Sequence, residues 1–135
     1  MNGAGFIIFK ESSVQTQPLM LALVRHDGIY DVPKGHADPN ETSLQTAKRE
    51  CFEECSIMVD DEEIDNNIVY SDARLTLFCA ISEKSPIVTK NPASGVLEHA
   101  GYRWVDLEEF CSKCLPYLEK PARSFYSSVL STYNP

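Results

Sequence analysis

The chain has 135 residues, of which 43% are hydrophobic and 24% charged, and its formal net charge is −8 at pH 7. This length and balance are typical of a single globular domain, which we expect to span residues 1–135. The sequence contains no run of eighteen apolar residues, which a membrane-spanning helix would need. The acidic net charge disfavours broad contacts with nucleic acid. We therefore expect a soluble monomer that acts on a small molecule and holds cations.

The first ten residues lack the positive stretch and long apolar segment of a secretory signal, so we expect the chain in the cytoplasm or the nucleus. Five cysteines are an odd number that suits reduced thiols better than a disulfide framework. Cys51 and Cys55 have the i, i+4 spacing of residues that pack on one helix face. Cys111 and Cys114 form a single CxxC pair, whereas a structural zinc site normally needs four ligands.

The first part of the chain predicts two strands followed by a long loop. Residues 5–9 and 19–24 are apolar runs of strand length, and the polar residues 10–17 between them predict a loop. Residues 30–41 contain several residues that interrupt regular structure, namely Pro33, Gly35, Pro39 and Asn40. We expect this segment to be a loop that leads into a helix.

Residues 42–55 predict the clearest helix of the chain. Spacings of three and four residues place four apolar side chains on one face: Leu44, Ala47, Cys51 and Cys55. Thr42 and Gln45 have the spacing of a capping box at the start of the helix. Further along, residues 68–70, 75–81 and 102–105 predict strands, and residues 107–130 predict two helices with a break near Pro116 or Pro121. The predicted class is mixed α/β.

Three glutamates lie close together on the predicted helix. Glu50 and Glu54 are one turn apart and Glu53 lies beside them, so the carboxylates repel one another by a few tenths of a kcal/mol per exposed pair. A divalent cation with a preference for oxygen ligands would offset this repulsion. A solvated acidic face is the alternative interpretation of the same three residues.

A longer pattern surrounds these glutamates. Gly35 is separated by five residues from Glu41, which is separated by seven from the run Arg-Glu-Cys-Phe-Glu-Glu at 49–54, and the apolar Ile57 follows. This spacing resembles the signature of the Nudix hydrolases. The chain departs from the signature at Ser56, where the family has glycine; serine adopts a left-handed turn at a cost of about 1 kcal/mol.

The resemblance implies a fold and a set of roles. The fold is an α/β/α sandwich with a mixed β-sheet between helices, and the activity is hydrolysis of a phosphoanhydride bond with Mg²⁺, for which Mn²⁺ could substitute. Arg49 would pair with Glu41 and brace the loop against the helix. The implied metal ligands are Glu50, Glu53, Glu54 and the carbonyl of Gly35.

Two further segments resemble one branch of this family. Pro-Lys-Gly-His at 33–36 and Glu-His-Ala-Gly-Tyr-Arg-Trp at 98–104 are similar to stretches of the asymmetrical diadenosine tetraphosphate hydrolases. This similarity implies that Lys34 contacts phosphate and that Glu98 is a further metal ligand or the general base. The other candidate substrate contacts are His36, Tyr70, Arg74 and Tyr117. The chain departs from this branch at Tyr30 (usually tryptophan), in a shortened loop at 71–74 and at Leu97 (usually histidine).

Several of these side chains also have a purely structural interpretation. Lys34 and Glu98 could be solvated surface charges, and an isolated tyrosine is more often a half-buried core residue than a platform for a base. His99 follows Glu98 and could orient it, whereas no motif gives His26 a role. Trp104 ends a predicted strand and is expected to anchor the core.

The leading hypothesis is an enzyme that converts diadenosine tetraphosphate to ATP and AMP, with catalytic roles for Glu53, Glu54, Glu98 and Arg49. One alternative within the family is a hydrolase of RNA 5′ ends or of diphosphoinositol phosphates. The other is a module that binds a nucleotide without turnover, although such a module is expected to lose metal-binding glutamates. The sequence retains the complete set.

Overall fold

A mixed sheet forms the centre of the molecule. The computed structural model describes residues 2–11, 17–92 and 94–133, and within them the sheet has seven strands. The strands are β1 (Gly3–Lys10), β2 (Leu19–Val24), β3 (Tyr30–Asp31), β4 (Lys34–His36), β5 (Ile64–Ser71), β6 (Leu75–Ile81) and β7 (Gly101–Val105). Their main order is β3-β2-β1-β6-β5, while β4 pairs with β1 and β7 pairs with β2. The pair β1–β6 is parallel, and the other pairs are antiparallel.

Helices cover both faces of this sheet. They are α1 (Ser43–Cys55), α2 (Leu107–Lys113) and α3 (Glu119–Tyr133), with short 3-10 helices at Asp61–Glu63 and Pro116–Leu118. One core cluster joins α1 to alternate residues of β1, including Phe6 and Ile8, and the other joins α2 and α3 to Ile7 and Phe9. Because β1 is buried on both faces, it reads as a continuous apolar run. The α/β/α sandwich that the sequence resemblance implies is confirmed.

Helix α1 forms as the sequence predicts. The Thr42 hydroxyl accepts a hydrogen bond from the Gln45 backbone N–H at 3.1 Å, and the Gln45 side chain accepts one from the Thr42 N–H at 2.9 Å. Ala47, Cys51 and Cys55 are buried on the face that packs against the sheet. The helix ends at Ser56, whose φ of 61° lies in the left-handed region.

The predicted loop at residues 30–41 is wrong in part, because it contains the short strands β3 and β4. Strand β4 pairs with β1 through Gly3, Ala4 and Gly5. At Gly5 a side chain would overlap the Pro33 carbonyl and Lys34, so glycine permits the two backbones to approach closely. The partner that makes these residues a strand is distant in sequence, which is why their composition alone indicates a loop.

The remaining elements agree with the prediction in type. The tail breaks at the 3-10 helix that begins at Pro116, whereas Pro121 lies in the first turn of α3, where a missing N–H does no harm. Residues 12–16 of the predicted loop at 10–17 lie outside the described residues. Cys51, Cys55 and Cys79 are buried in the core. None of the helices in the described part of the chain is both long and apolar enough to span a membrane.

Replacing Ser56 with glycine should stabilise the protein, because glycine adopts the left-handed conformation without a steric cost. The relief of about 1 kcal/mol is offset in part by the greater freedom of glycine in the unfolded chain, which leaves a gain of roughly 0.5 kcal/mol. Ser124→Gly in the exposed face of α3 is the matched control and should instead lower the stability by about 0.5 kcal/mol. Urea unfolding of both variants measures the two changes; a loss of stability in Ser56→Gly would contradict the argument.

Candidate active site

An open cleft of about 1280 Å³ lies beside α1. Its walls come from β4, from the middle of α1, from residues 72–75 at the turn into β6, and from Tyr117. Glu98 lines a further side of the cleft from the segment before β7. The cleft therefore draws on parts of the chain that are far apart in sequence.

The three glutamates of α1 lie along this cleft and below it. The side chains of Glu50, Glu53 and Glu54 are 13%, 24% and 5% exposed. Glu50 and Glu53 line the cleft, and Glu54 is the most buried of the three. The carboxylate of Glu50 lies directly against Gly35, where any β-carbon would overlap it. Glycine at position 35 thus allows β4 and α1 to meet around a carboxylate.

Arg49 connects the glutamates to the segment that carries β4. Its guanidinium binds both oxygens of Glu41, at 2.8 and 3.1 Å, and donates to the His36 carbonyl at 2.8 Å. It also contacts Glu50 at 2.9 Å and Glu53 at 3.1 Å. The hydrogen bonds from Arg49 lower the pKa of Glu41 to about 2. The Arg49–Glu41 pair forms as the family resemblance implies.

Glu54 is the most buried of the three carboxyl groups. Its Oε2 accepts the backbone N–H of Lys34 at 3.0 Å, so the carboxylate also contacts β4. Burial, a hydrogen bond with Glu50 and the charges of Glu50 and Glu98 raise the pKa of Glu54 to about 10. In the absence of a cation, the carboxyl groups of this cluster therefore retain a proton at neutral pH.

Glu98 and His99, from the segment before β7, lie close to Glu54. Ligand atoms of these three residues lie within 4.8 Å of one another. His99 is buried, with its Nδ1 3.9 Å from Glu54 and its Nε2 3.6 Å from Asp31. The sequence indicated Glu98 through a resemblance, and the structure brings it to the same cluster as Glu54.

Lys34 presents its side chain at the edge of the cleft. Its ammonium lies 3.1 Å from Asp31 and 5.8 Å from the centre of the Tyr117 ring. Although burial opposes it, the charge of Asp31 raises the pKa of Lys34. Burial also opposes ionisation of Asp31, but the nearby His99 ring and the charge of Lys34 lower the pKa of that carboxyl. This pair is ionised at neutral pH.

The other residues that the sequence proposed as substrate contacts divide into two groups. His36, Arg74 and Tyr117 line the cleft. Tyr70 is not among the lining residues; its ring packs against the core, and its hydroxyl donates to Asp72 at 3.3 Å. Asp72 in turn accepts the backbone N–H of Arg74 at 2.8 Å and so shapes the turn that carries this arginine.

Sequence reasoning missed two side chains that support this site. Asp31 is buried between His99 and Lys34, and its only signal was an acidic residue between the apolar Tyr30 and Val32. His26, to which the sequence gave no role, contacts the Leu97 carbonyl through Nε2 at 2.8 Å. The Asp31–His99 and His26–Leu97 contacts each join residues that are far apart in sequence.

Comparison with known proteins agrees with this geometry. The family model described as the NUDIX domain matches residues 2–129. The chain belongs to the Nudix family. The asymmetrical bis(5'-nucleosyl)-tetraphosphatase of Mus musculus is 31% identical over 123 aligned residues, which cover 82% of each chain. The enzyme of the same name from Caenorhabditis elegans is 29% identical over 117 residues, or 81% of each chain. These findings identify the Nudix protein as a pyrophosphohydrolase.

Solved structures share its fold. A binary complex of a C. elegans Ap4A hydrolase superposes with a TM-score of 0.73 at 21% identity, covering 97% of this chain and 98% of the other. The dihydroneopterin triphosphate pyrophosphohydrolase of E. coli gives a TM-score of 0.64 at 19% identity, covering 93% and 95%. At these identities the likeness concerns the fold.

The carboxylate cluster of this Nudix chain suits a divalent cation. Nudix hydrolases generally use divalent metals, and the residues at the site offer hard oxygen ligands in excess of nearby positive charge. Because Gly35 has no side chain, the Glu50 carboxylate can lie beside the other carboxylates of the cluster. The high pKa of Glu54 also reflects the close packing of these carboxyl groups. Carboxylates this close together remain ionised at the same time only with a cation between them.

Gly35→Ala should weaken cation binding on the order of 10-fold, because the new methyl group must displace the Glu50 carboxylate. Mn²⁺ titration of the metal-free protein, followed by the electron paramagnetic resonance of free Mn²⁺, measures this change. Gly101→Ala is the matched control, since a β-carbon there meets no atom within 4 Å. Equal affinities for the two variants would show that the close approach of Glu50 to Gly35 is unimportant.

Glu54→Gln should raise the melting temperature of the metal-free protein, and the gain should grow with pH. The folded-state pKa of Glu54 is about 10 against an ordinary 4.5, so the folded state binds the extra proton. Stability is therefore lost as pH rises between these values, and a neutral amide removes that loss. The melting temperatures of the wild type and the variant, measured in EDTA at pH 6 and pH 8.5, test this prediction. Each kcal/mol of stability should shift the melting temperature by roughly 4 °C. The exposed Glu62→Gln is the control; a pH-independent difference for Glu54→Gln would refute the assigned pKa.

Proposed function

We propose that this protein is a magnesium-dependent hydrolase that splits diadenosine tetraphosphate asymmetrically into ATP and AMP. One observation carries the proposal: the carboxylates of α1, the separate carboxylate Glu98 and the ammonium of Lys34 converge on a single cleft. A cleft lined by both carboxylates and an ammonium group matches a polyphosphate that arrives with a metal ion. The relatives named as asymmetrical tetraphosphatases support the choice of substrate.

The residues that would hold the ion are Glu50, Glu53, Glu54 and Glu98, together with the carbonyl of Gly35. Mg²⁺, with Mn²⁺ as a substitute, would neutralise phosphate charge and lower the pKa of bound water when present. Arg49 would act indirectly, because it is engaged with Glu41, Glu50 and Glu53 and fixes where these carboxylates lie. We therefore propose that Arg49 positions the metal ligands. This replaces the direct catalytic role that the sequence suggested for it.

In the proposed reaction, water attacks the phosphorus that bears one adenosine, and the bond from that phosphorus to the bridging oxygen breaks. Glu53 or Glu98 accepts the proton of the attacking water, since both carboxylates line the cleft. AMP carries the new oxygen, and ATP leaves with the bridging oxygen. No covalent intermediate with the protein is needed.

Other cleft residues would bind the remaining parts of the substrate. Lys34 would contact a phosphate oxygen, and His36 and Arg74 offer further donors to the phosphate chain. The ring of Tyr117 is 47% exposed and lies beside the Lys34 ammonium, so it can stack on an adenine next to the phosphates. The core packing of Tyr70 leaves its ring away from this position, and we assign it no contact with the base.

The test is to incubate the purified protein with Mg²⁺ and each member of a panel, and to resolve the products by chromatography. The panel contains dinucleoside polyphosphates, nucleoside triphosphates, capped RNA and diphosphoinositol phosphates. Equal amounts of ATP and AMP from diadenosine tetraphosphate are expected. Glu54→Gln should lower turnover on the order of 10³-fold, whereas Glu62→Gln, an exposed glutamate outside the cleft, should leave it unchanged.

Other product patterns would contradict particular parts of the proposal. Two molecules of ADP from diadenosine tetraphosphate would refute the asymmetric cleavage. Turnover of capped RNA or diphosphoinositol phosphates alone would replace the substrate and keep the metal site. Undiminished turnover by Glu54→Gln would remove this residue from the reacting centre.

A further inference from the structure

Asp31 is a buried carboxylate that the proposed reaction does not use. It ends β3 and is 7% exposed. Its Oδ1 accepts the backbone N–H of Val32 at 2.7 Å and lies 3.1 Å from the Lys34 ammonium. Its Oδ2 lies 3.2 Å from the same ammonium and 3.6 Å from Nε2 of His99. Asp31 therefore contacts both a cleft cation and the neighbour of a cleft carboxylate.

The contact with Lys34 restricts a long and flexible side chain. A lysine ammonium on four methylene groups ordinarily samples many rotamers, and ordering it costs up to about 2 kcal/mol. The Asp31 carboxylate holds the ammonium on one side, and the Tyr117 ring lies 5.8 Å away on another. A phosphate that enters the cleft would then meet a cation that is already in place.

The contact with His99 bears on the segment that carries Glu98. The His99 ring lies between Asp31 and Glu54, with Nδ1 3.9 Å from the glutamate. The backbone around this residue is held by Ala100, whose N–H donates to the Val24 carbonyl at 2.7 Å. Glu98 is the adjacent residue, and one of its carboxylate oxygens lies within 4.8 Å of a ligand atom of Glu54.

The buried charge of Asp31 depends on its two neighbours. Burying a charge is costly, and an apolar side chain would fill the same space without that cost. Asp31 also adds to the negative charge that acts on Glu54, in a region already rich in carboxylates. Lys34 and His99 offset the cost of burying this charge and lower the pKa of the Asp31 carboxyl, so the three groups hold one another in place.

We propose that Asp31 is a positioning residue with two routes to the reaction: it holds the Lys34 ammonium for the phosphate chain, and through His99 it holds Glu98 for the cation. The inference rests on the proposed function for the roles of Lys34 and Glu98. The two routes act on different steps, so they have separate readouts. Loss of the first raises KM, and loss of the second weakens binding of a divalent cation to the metal-free protein.

Asp31→Asn tests both routes, because the amide keeps the size of the side chain and removes its charge. Mn²⁺ affinity of the metal-free protein, read from the electron paramagnetic resonance of free Mn²⁺, should fall on the order of 10-fold. KM for diadenosine tetraphosphate, measured at saturating Mg²⁺, should rise by a similar factor. Asp27→Asn is the matched control: it lies in the same β2–β3 hairpin, pairs with Arg25 outside the cleft, and should change neither value.

Double variants separate positioning from general destabilisation. Combined with Lys34→Ala, Asp31→Asn should add no further rise in KM, and combined with His99→Gln it should add no further loss of Mn²⁺ affinity. Additive effects in both combinations would overturn the proposal, as would a single variant with unchanged Mn²⁺ affinity and KM. If Asp31→Asn melts below the assay temperature, Asp31→Glu decides: its displaced carboxylate should still weaken Mn²⁺ binding and raise KM, and wild-type values would overturn the proposal.

Failure of the proposed function would look different. If the wild-type protein cleaves another member of the substrate panel, KM is measured for that substrate, and the Mn²⁺ titration needs no substrate. An inactive wild-type protein that binds Mn²⁺ would refute the proposed function, while the Asp31–His99 combination would still decide the cation route. The two conclusions therefore fail under separate observations.

Discussion

The arrangement of the site depends on one guanidinium group. Arg49 sits among Glu41, Glu50 and Glu53 and also binds the carbonyl of His36, so a single side chain holds the segment around β4 against α1. Carboxylates this close would otherwise push the two elements apart. The planar group can serve several oxygens at once, and a lysine ammonium would lack the geometry to do so.

Around this contact the site combines local and distant contributions. Glu50 reaches its position because Gly35 has no side chain, and Glu54 is tied to β4 by the backbone N–H of Lys34. These contacts lie within one stretch of the chain that runs from β3 to the end of α1. Glu98 and His99 come from the segment before β7 and complete the cluster. A cation would therefore join two parts of the fold.

The local part could be predicted from the sequence, and the distant part only through family resemblance. The capping box at Thr42, the buried face of α1 and the spacing of its glutamates all depend on helix periodicity, which a sequence displays directly. Strand β4 was missed because its partner β1 lies elsewhere in the chain, and β3 was missed because two residues are too short to show a strand pattern. The support from Asp31 was missed because an isolated aspartate gives no sign of what it will contact.

The pairing of β7 with β2 also has a consequence for how the protein folds. Gly101 pairs with Val24, and closing so long a loop is slow compared with forming a helix. The α1 carboxylates can thus come together early, while Glu98 joins them only when the sheet closes. A divalent ion that is bound by the α1 carboxylates and by Glu98 would bind the native state more tightly than any folding intermediate. By mass action, binding of the ion would then stabilise the native state relative to its precursors.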